Sequence, residues 1–169
     1  MRAVPCLLPF LLASCATRFP VTDHCDGERF FGDPPAPAGY GAALKWSLTR
    51  TPRAWPDSIP VTATRPAPEA DSGIRATWVG HATVLVQSRG LNLLTDPVWS
   101  RTVGPWSWAG SQRKAAPGVR EEDLPRIDAV LLSHDHYDHA DLPTLRRLAV
   151  RPGIVGVAPL GTADLLREA

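Results

Sequence analysis

The stretch Ser133-His134-Asp135-His136-Tyr137-Asp138-His139 decides both the fold and the chemistry expected of this chain. It holds three imidazoles and two carboxylates, and it directly follows the apolar run 129–132. Imidazole and carboxylate groups are ligands for zinc and similar divalent metals. The alternative is a polar loop whose histidines only cap a helix and bond to water. So many ligand groups at the end of a predicted strand favour a metal site.

The spacing within the stretch predicts two neighbouring metal positions. Side chains two residues apart on an extended strand point the same way, so His134 and His136 can bind one ion. A helix is predicted to begin at Asp141, which precedes a leucine and a proline. Asp138 and His139 then lie in a tight loop between the strand and the helix. We therefore expect His134 and His136 at one metal position and Asp138 and His139 at the other.

Other segments accompany this motif and point to a known family. They are Thr77-Trp78-Val79-Gly80-His81-Ala82-Thr83-Val84-Leu85-Val86, Leu93-Leu94-Thr95-Asp96-Pro97-Val98, Trp108-Ala109-Gly110 with Arg113, and Pro117-Gly118. The motif His134-x-His136-x-Asp138-His139 resembles the signature of the metallo-β-lactamase superfamily of hydrolases. Over about residues 74–160 the chain resembles the branch that contains N-acylphosphatidylethanolamine-hydrolysing phospholipase D and its bacterial relatives.

The resemblance implies a fold, a metal content and an activity. The fold class is α/β (α+β), as the N-terminal half of an αββα sandwich. Two zinc ions are implied, the first bound by His134 and His136 and the second by Asp138 and His139, with Asp138 also orienting the attacking hydroxide. The implied activity is a zinc-dependent phosphodiesterase acting on a phospholipid-like substrate, and the implied ligand is that lipid or a small phosphoester. The alternatives are a lactonase or other ester hydrolase of the same fold, and a non-catalytic lipoprotein remnant.

Asp96 and His81 are the two further candidates near the metal site. By the resemblance, Asp96 lies behind the metal loop and holds a ligand histidine in place. Its alternative role is to form an Asp-Pro turn with Pro97. His81 either approaches the metal edge of the sheets, where it would support the ligands, or caps a turn between two strands.

The metal ligands of the resembled family are not all found in this sequence. The family uses three more ligands from later in the chain, a His, a bridging Asp and a second His. No histidine follows His139. We therefore expect the chain to be the N-terminal part of a longer hydrolase.

The N-terminus is typical of a secreted lipoprotein. Residues 1–14 have a weakly positive start and a short apolar run, as in a signal peptide. Leu12-Ala13-Ser14-Cys15 resembles a bacterial lipoprotein cleavage box, so Cys15 is a candidate for lipidation. This predicts a lipid-anchored protein of the bacterial cell envelope, in the periplasm or at the outer membrane. An ordinary signal peptide and a cytoplasmic protein with unmodified Cys15 are the alternatives.

The rest of the chain is expected to form a Pro-rich extended segment and one partial domain. Residues 15–72 are interpreted as a linker or as a wrap over the domain surface, because Pro fixes the backbone and removes hydrogen-bond donors. Residues 73–169 are interpreted as the domain. Its predicted strands are 74–79, 82–87, 91–95, 129–132 and 154–158, and its predicted helices are 141–150 and 163–168.

Composition and loop residues give weaker indications. The net charge of +1 without a basic run does not indicate nucleic-acid binding. Trp99, Trp106 and Trp108 fall in a predicted loop, where they line an apolar mouth for acyl chains or simply pack. Arg113 and Lys114 either attract a phosphate or are ordinary solvated charges.

Overall fold

A computed structural model describes residues 19–31, 39–51, 53–70, 72–106 and 108–169 of the chain. The chain divides into two units, Met1–Thr51 and Pro52–Ala169. The predicted signal segment 1–14 and Cys15 lie outside the described residues.

The first unit contains a helix that we did not predict. Helix α1 spans Tyr40–Thr49, within a region that we expected to be extended. The expectation was wrong here because no proline falls between Pro37 and Pro52, and the intervening run contains alanine and leucine, which favour a helix. Trp46 and Leu48 on this helix are exposed.

The second unit is built on a five-stranded sheet with helices. Its elements in chain order are β1 (Ile74–Gly80), β2 (Thr83–Ser88), β3 (Leu91–Thr95), β4 (Thr102–Trp106), β5 (Ala109–Gln112), a 3₁₀ turn (Glu121–Asp123), β6 (Ala129–Leu131), α2 (Leu142–Ala149), β7 (Val155–Val157) and α3 (Ala163–Glu168). The large sheet has the order β1-β2-β3-β6-β7, and β4 and β5 form a separate hairpin. Strands β1 to β3 are antiparallel, whereas β3, β6 and β7 are parallel.

Alternation along the strands explains how the sheet builds its core. Leu85 of β2 and Leu94 of β3 are fully buried, while the residues beside them are only partly buried. Helix α2 adds Leu145 and Leu148, one helical turn apart, to the same core. Each fully buried leucine contributes about 1.5–3 kcal/mol relative to an exposed one. The predicted mixed α/β class is confirmed, and the strand and helix bounds lie within one residue of those expected.

Residues 59–67 of the Pro-rich segment belong to the second unit and form hydrogen bonds with other parts of it. The backbone N–H of Ile59 donates to Lys114 O (2.7 Å), and that of Thr64 donates to Gly118 O (2.8 Å). Gln87 Nε2 donates to Ala67 O at 2.9 Å. These bonds hold the segment onto the loop after β5 and onto strand β2.

The tryptophan segment differs from the predicted loop. Thr102–Trp106 and Ala109–Gln112 pair as the β4–β5 hairpin, and Trp106 and Trp108 stack on each other with ring centroids 5.4 Å apart. Both rings are exposed, whereas Trp99 packs against the core and donates from Nε1 to Val119 O (3.0 Å). Within the described part of the chain, no helix is long and apolar enough to cross a bilayer.

Candidate metal centre

The candidate site lies where two parallel neighbouring strands end. Asp96 follows β3 and Ser133 follows β6, and the two strands pair in register up to Thr95 and Leu131. The backbone N–H of Asp96 donates to Leu131 O at 2.9 Å, which fixes the two strand ends together. Parallel strands present their carboxyl ends at one edge of a sheet, where ligand sites commonly form.

Asp96 is the buried anchor of the site. Its side chain accepts hydrogen bonds from Ser133 N (2.7 Å), from Ser133 Oγ (2.7 Å) and from His139 Nδ1 (2.9 Å). Burial works to raise the pKa of the Asp96 carboxyl, but the hydrogen bonds from His139 and Ser133 outweigh burial and hold that pKa below its ordinary value. Asp96 is therefore a carboxylate at neutral pH, and it can only accept hydrogen bonds.

This carboxylate sets the tautomers of two imidazoles. His139 must carry its proton on Nδ1 to donate to Asp96, which leaves the lone pair on Nε2. The Ser133 hydroxyl gives its one proton to Asp96, so it accepts from His134 Nδ1, which lies 2.8 Å away. Both imidazoles thus present Nε2 as a free metal-ligand atom, and a carboxylate behind a histidine is the usual support of a metal ligand.

The imidazole rings of the motif are clustered. The ring centroid of His134 lies 4.5 Å from that of His136 and 4.0 Å from that of His139. A tight turn produces this grouping, because the backbone N–H groups of His139 and Ala140 both donate to His136 O, at 2.9 and 2.7 Å. The turn brings the last histidine of the motif back beside the first.

Asp138 and His81 form the outer side of the cluster. His81 Nε2 lies 3.0 Å from Asp138 Oδ2, and His139 Nε2 lies 3.8 Å from the same oxygen. Burial works to raise the pKa of Asp138, but its backbone hydrogen bond and the nearby His139 and His81 lower it overall. One ligand atom from each of His81, Asp138 and His139 lies within 4.8 Å of the others, a donor set and spacing that fit a divalent cation.

Two of these residues have unusual backbone conformations. His81 has φ 51° and Asp96 has φ 36°, in the left-handed region that most residues avoid. Side-chain donors hold both carbonyls in place: Trp78 Nε1 donates to His81 O (3.0 Å), and Thr83 Oγ1 donates to Asp96 O (2.6 Å). Such conformations persist where the surroundings fix them, and they concentrate at functional sites.

A second buried carboxylate, Asp141, lies at the start of α2. It holds the N-cap position as predicted, but its side chain does not cap the helix backbone. Its Oδ2 accepts from Trp99 N (3.2 Å), Ser100 N (3.0 Å) and Thr144 Oγ1 (2.5 Å), and its Oδ1 accepts from Ser100 Oγ (2.8 Å). Asp141 therefore ties the loop after β3 to the helix and takes no part in the imidazole cluster.

The structure brings the sequence-predicted residues together with one that we did not single out. His134, His136 and His139 share one ring cluster, Asp138 joins it through His139, and His81 and Asp96 contact it from outside and from behind. Ser133 was missed, although its hydroxyl connects Asp96 with His134. Its position directly after the strand and directly before the first histidine was the available signal.

Comparisons with known proteins find a matching family model and several relatives. The family model "Beta-lactamase superfamily domain" matches residues 91–169. The N-acyl-phosphatidylethanolamine-hydrolyzing phospholipase D 1 of Caenorhabditis elegans is 45% identical over 100 residues, which cover 59% of this chain and 28% of that protein.

Two other relatives widen the range of named activities. A carrier-protein 3-hydroxylase of Streptomyces venezuelae, named for a 4-amino-L-phenylalanyl substrate, is 36% identical over 112 residues, 65% of this chain and 20% of that protein. A metal-dependent hydrolase of Anaeromyxobacter sp. (strain K) is 36% identical over 74 residues, 43% of this chain and 23% of that protein. The chain thus spans about a quarter of the length of these relatives. Residues 91–169 thus match the β-lactamase superfamily domain, and the relatives of the chain include an N-acylphosphatidylethanolamine-hydrolysing phospholipase D and metal-dependent hydrolases.

Proposed function

We propose that the protein is a zinc-dependent hydrolase, and that it cleaves a phosphodiester in a phospholipid-like substrate. The observation that carries the proposal is the pair of imidazoles, His134 and His139, whose Nε2 atoms are freed for metal by hydrogen bonds that begin at Asp96. The substrate class rests on the name of the nematode relative, a phospholipase D that hydrolyses N-acylphosphatidylethanolamine.

The donors present in this chain supply part of two metal positions. His134 and His136 would hold the first ion, and Asp138 and His139 the second. His81 adds a third donor beside Asp138 and His139, since its Nε2 lies 3.0 Å from Asp138. Nitrogen and oxygen donors of this kind suit zinc, which takes histidine and carboxylate ligands in catalytic sites.

The side chains of the site have separate tasks in the proposed reaction. A bound divalent cation supplies a water whose pKa is lowered to about 7, and hence a nucleophile at neutral pH. Asp138 would accept a hydrogen bond from that water and orient it. Asp96 and Ser133 would keep the imidazoles of His139 and His134 in the metal-binding tautomer.

The direct test is substitution of a metal-site histidine. His136→Ala should abolish hydrolysis of an N-acylphosphatidylethanolamine substrate and lower the zinc content, because a proposed ligand is removed without touching Asp96. His24→Ala is the matched control, since His24 is an exposed histidine of the first unit, beside Asp23. Zinc content is measured by plasma emission spectrometry and turnover by release of phosphatidic acid. Unchanged turnover in the His136 variant would refute its role.

Assays on other substrates separate the alternatives. Hydrolysis of a lactone with no action on phosphodiesters would replace the phosphodiesterase with a lactonase of the same fold. The absence of both metal and turnover would favour the non-catalytic lipoprotein remnant. The name of the Streptomyces relative favours a second candidate, hydroxylation of an aminoacyl group on a carrier protein. A hydroxylated product from such a substrate, without hydrolysis of phosphodiesters or lactones, would establish that candidate.

We also propose that the protein is a lipid-anchored envelope protein through Cys15. The support is the sequence of residues 1–15 alone. Expression in a bacterial host with a radioactive fatty acid should label the wild-type protein and not Cys15→Ser. Equal labelling, or a soluble cytoplasmic product in both cases, would contradict the anchor.

A further inference from the structure

A cavity beside the candidate metal centre contains two basic residues that the proposed reaction has not used. The cavity has a volume of about 420 Å³. His81 and Asp138 line it on the metal side, and Arg113 and Lys114 line it elsewhere. One space is therefore bounded both by proposed metal ligands and by positive charge.

Arg113 has an unusual set of contacts for an arginine. Its Nη2 donates to Val98 O at 2.6 Å, but its Nε is buried and has no hydrogen-bond partner. Among the residues that the structure describes, no carboxylate lies within ion-pair distance of its guanidinium. Burial lowers the pKa of Arg113, and the nearby Asp141 partly offsets this effect. A half-buried cation without a carboxylate partner is costly, and an anionic ligand bound at the other N–H groups of the guanidinium would offset that cost.

The backbone next to His81 is shaped to admit this guanidinium. A Cβ on Gly80 would lie 2.9 Å from Arg113 Nη1, and Gly80 has φ +154°. The backbone conformation therefore favours glycine at this position, and a side chain there would displace the guanidinium. The guanidinium of Arg113 thus lies beside Gly80, the residue that precedes the proposed metal ligand His81.

The other charged groups near the cavity leave Arg113 available. Lys114 Nζ lies 3.4 Å from Asp57 Oδ1, but Asp57 is fully exposed, and such surface pairs contribute little. Asp141 does not line the cavity, and its oxygens already accept four hydrogen bonds. Asp138 is the one carboxylate of the cavity lining in the described chain, and it is a proposed metal ligand.

We propose that Arg113 forms an oxyanion subsite, in which its guanidinium binds a phosphate oxygen of a ligand whose phosphorus lies next to the metal centre. The subsite rests on the proposed function, because it positions the phosphodiester for attack. The planar guanidinium matches the oxygens of a phosphate group better than an ammonium does. Lys114 adds longer-range attraction at the cavity mouth.

The test measures binding of inorganic phosphate to the zinc-loaded protein by calorimetry, in wild type and in three variants. Arg113→Gln should weaken binding roughly tenfold, because a charge-assisted hydrogen bond is lost. Arg113→Lys should give an intermediate loss, since it keeps the charge but not the planar fork. Arg101→Gln is the matched control, because it removes a nearby positive charge that does not line the cavity, and it should change binding less than about twofold. Wild-type affinity in Arg113→Gln, or an equal loss in Arg101→Gln, would overturn the subsite.

A second measurement keeps the test valid if Arg113→Gln does not fold. The Nε–H resonance of Arg113 is followed by ¹⁵N NMR in the wild-type protein, with the folded Arg113→Lys variant used for assignment. Titration with phosphate should shift this resonance, while chloride at the same ionic strength should not. No shift with phosphate would overturn the proposal.

Two ligands distinguish the possible sources of the phosphate. Inorganic phosphate represents the free ion, and glycerophosphoethanolamine represents a lipid headgroup diester. A roughly tenfold loss for both ligands supports a general oxyanion subsite, a loss for one alone assigns the subsite to that source, and a loss for neither overturns it. Phosphate binding that depends on Arg113 without any phosphodiester hydrolysis would leave the subsite intact and remove the proposed function. Phosphodiester hydrolysis with unchanged kcat and KM in Arg113→Gln would support the proposed function and overturn the subsite.

Discussion

Two carboxylates at the same edge of the sheet are equally buried and serve different ends. Asp96, after β3, and Asp141, before α2, are each 5% exposed. The Asp96 carboxylate accepts hydrogen bonds from Ser133 and from the imidazole of His139. The Asp141 carboxylate accepts hydrogen bonds from Trp99 and Ser100 in the loop after β3 and from Thr144 in α2. Burial alone therefore does not identify a functional carboxylate.

The nature of the donors separates the two cases. Amide and aliphatic hydroxyl donors do not titrate near neutral pH, so their bonds to Asp141 stabilise the fold. The imidazole donor of Asp96 has a second nitrogen that can bind metal, so the bond to Asp96 also controls that nitrogen. We expect substitutions at Asp141 to change stability and substitutions at Asp96 to change metal affinity.

The largest effect is expected at Asp141. Asp141→Ala should lower the free energy of unfolding by about 3 kcal/mol, because four donors lose a charged acceptor inside the protein. Urea denaturation measures this change. Asp164→Ala is the control, since Asp164 is an exposed acid in the first turn of α3 and should cost less than about 0.5 kcal/mol. If Asp141→Ala and Asp164→Ala lowered the free energy of unfolding equally, the structural role of Asp141 would be refuted.

A smaller and different effect is expected at Asp96. Asp96→Asn should weaken zinc binding by about 10- to 100-fold, because the amide no longer enforces the Nδ1 tautomer of His139. Competition with a chromophoric chelator measures the zinc affinity, and circular dichroism confirms the fold. If Asp96→Asn binds zinc normally but unfolds as easily as Asp141→Ala, then the two carboxylates have the same structural role.

The smallest effect is expected at Ser133, whose hydroxyl connects Asp96 to His134. Ser133→Ala removes only the hydroxyl between Asp96 and His134, and it leaves the bond of Asp96 to His139 in place. Zinc affinity should fall by about three- to tenfold, less than for Asp96→Asn. Ser88→Ala serves as the control, since its hydroxyl donates to Gly73 O at 3.0 Å in a distant turn. A loss as large as that of Asp96→Asn would place Ser133 as the main support of the imidazoles.

Local patterns in the sequence were sufficient for most of the second unit. The alternation around Leu85 and Leu94 and the turn at Arg89-Gly90 predict the antiparallel strands, because burial on one face and a turn act over a few residues. The leucine spacing of α2 predicts its buried face in the same way. The grouping of the motif histidines also followed from neighbours in sequence.

Contacts between distant residues were not accessible to the same reasoning. The hydrogen bond between Asp96 and His139 joins residues 43 apart, and those from Trp99 and Ser100 to Asp141 join residues 42 and 41 apart. The position of Asp96 before Pro97 was equally compatible with an Asp-Pro turn. Only the resemblance suggested that Asp96 supports a ligand histidine. The hairpin at Thr102–Gln112 lacks apolar alternation, so nothing local marked it as strands.

The left-handed backbone at Asp96 limits which side chains this position can accept. Glycine, asparagine and aspartate adopt a positive φ readily, whereas branched and long residues do so at a cost. A saturation library at codon 96, sorted only for folded protein, should therefore return chiefly these three amino acids. Among them only aspartate carries a charge, so the backbone at position 96 tolerates asparagine and glycine while support of the His139 imidazole requires aspartate.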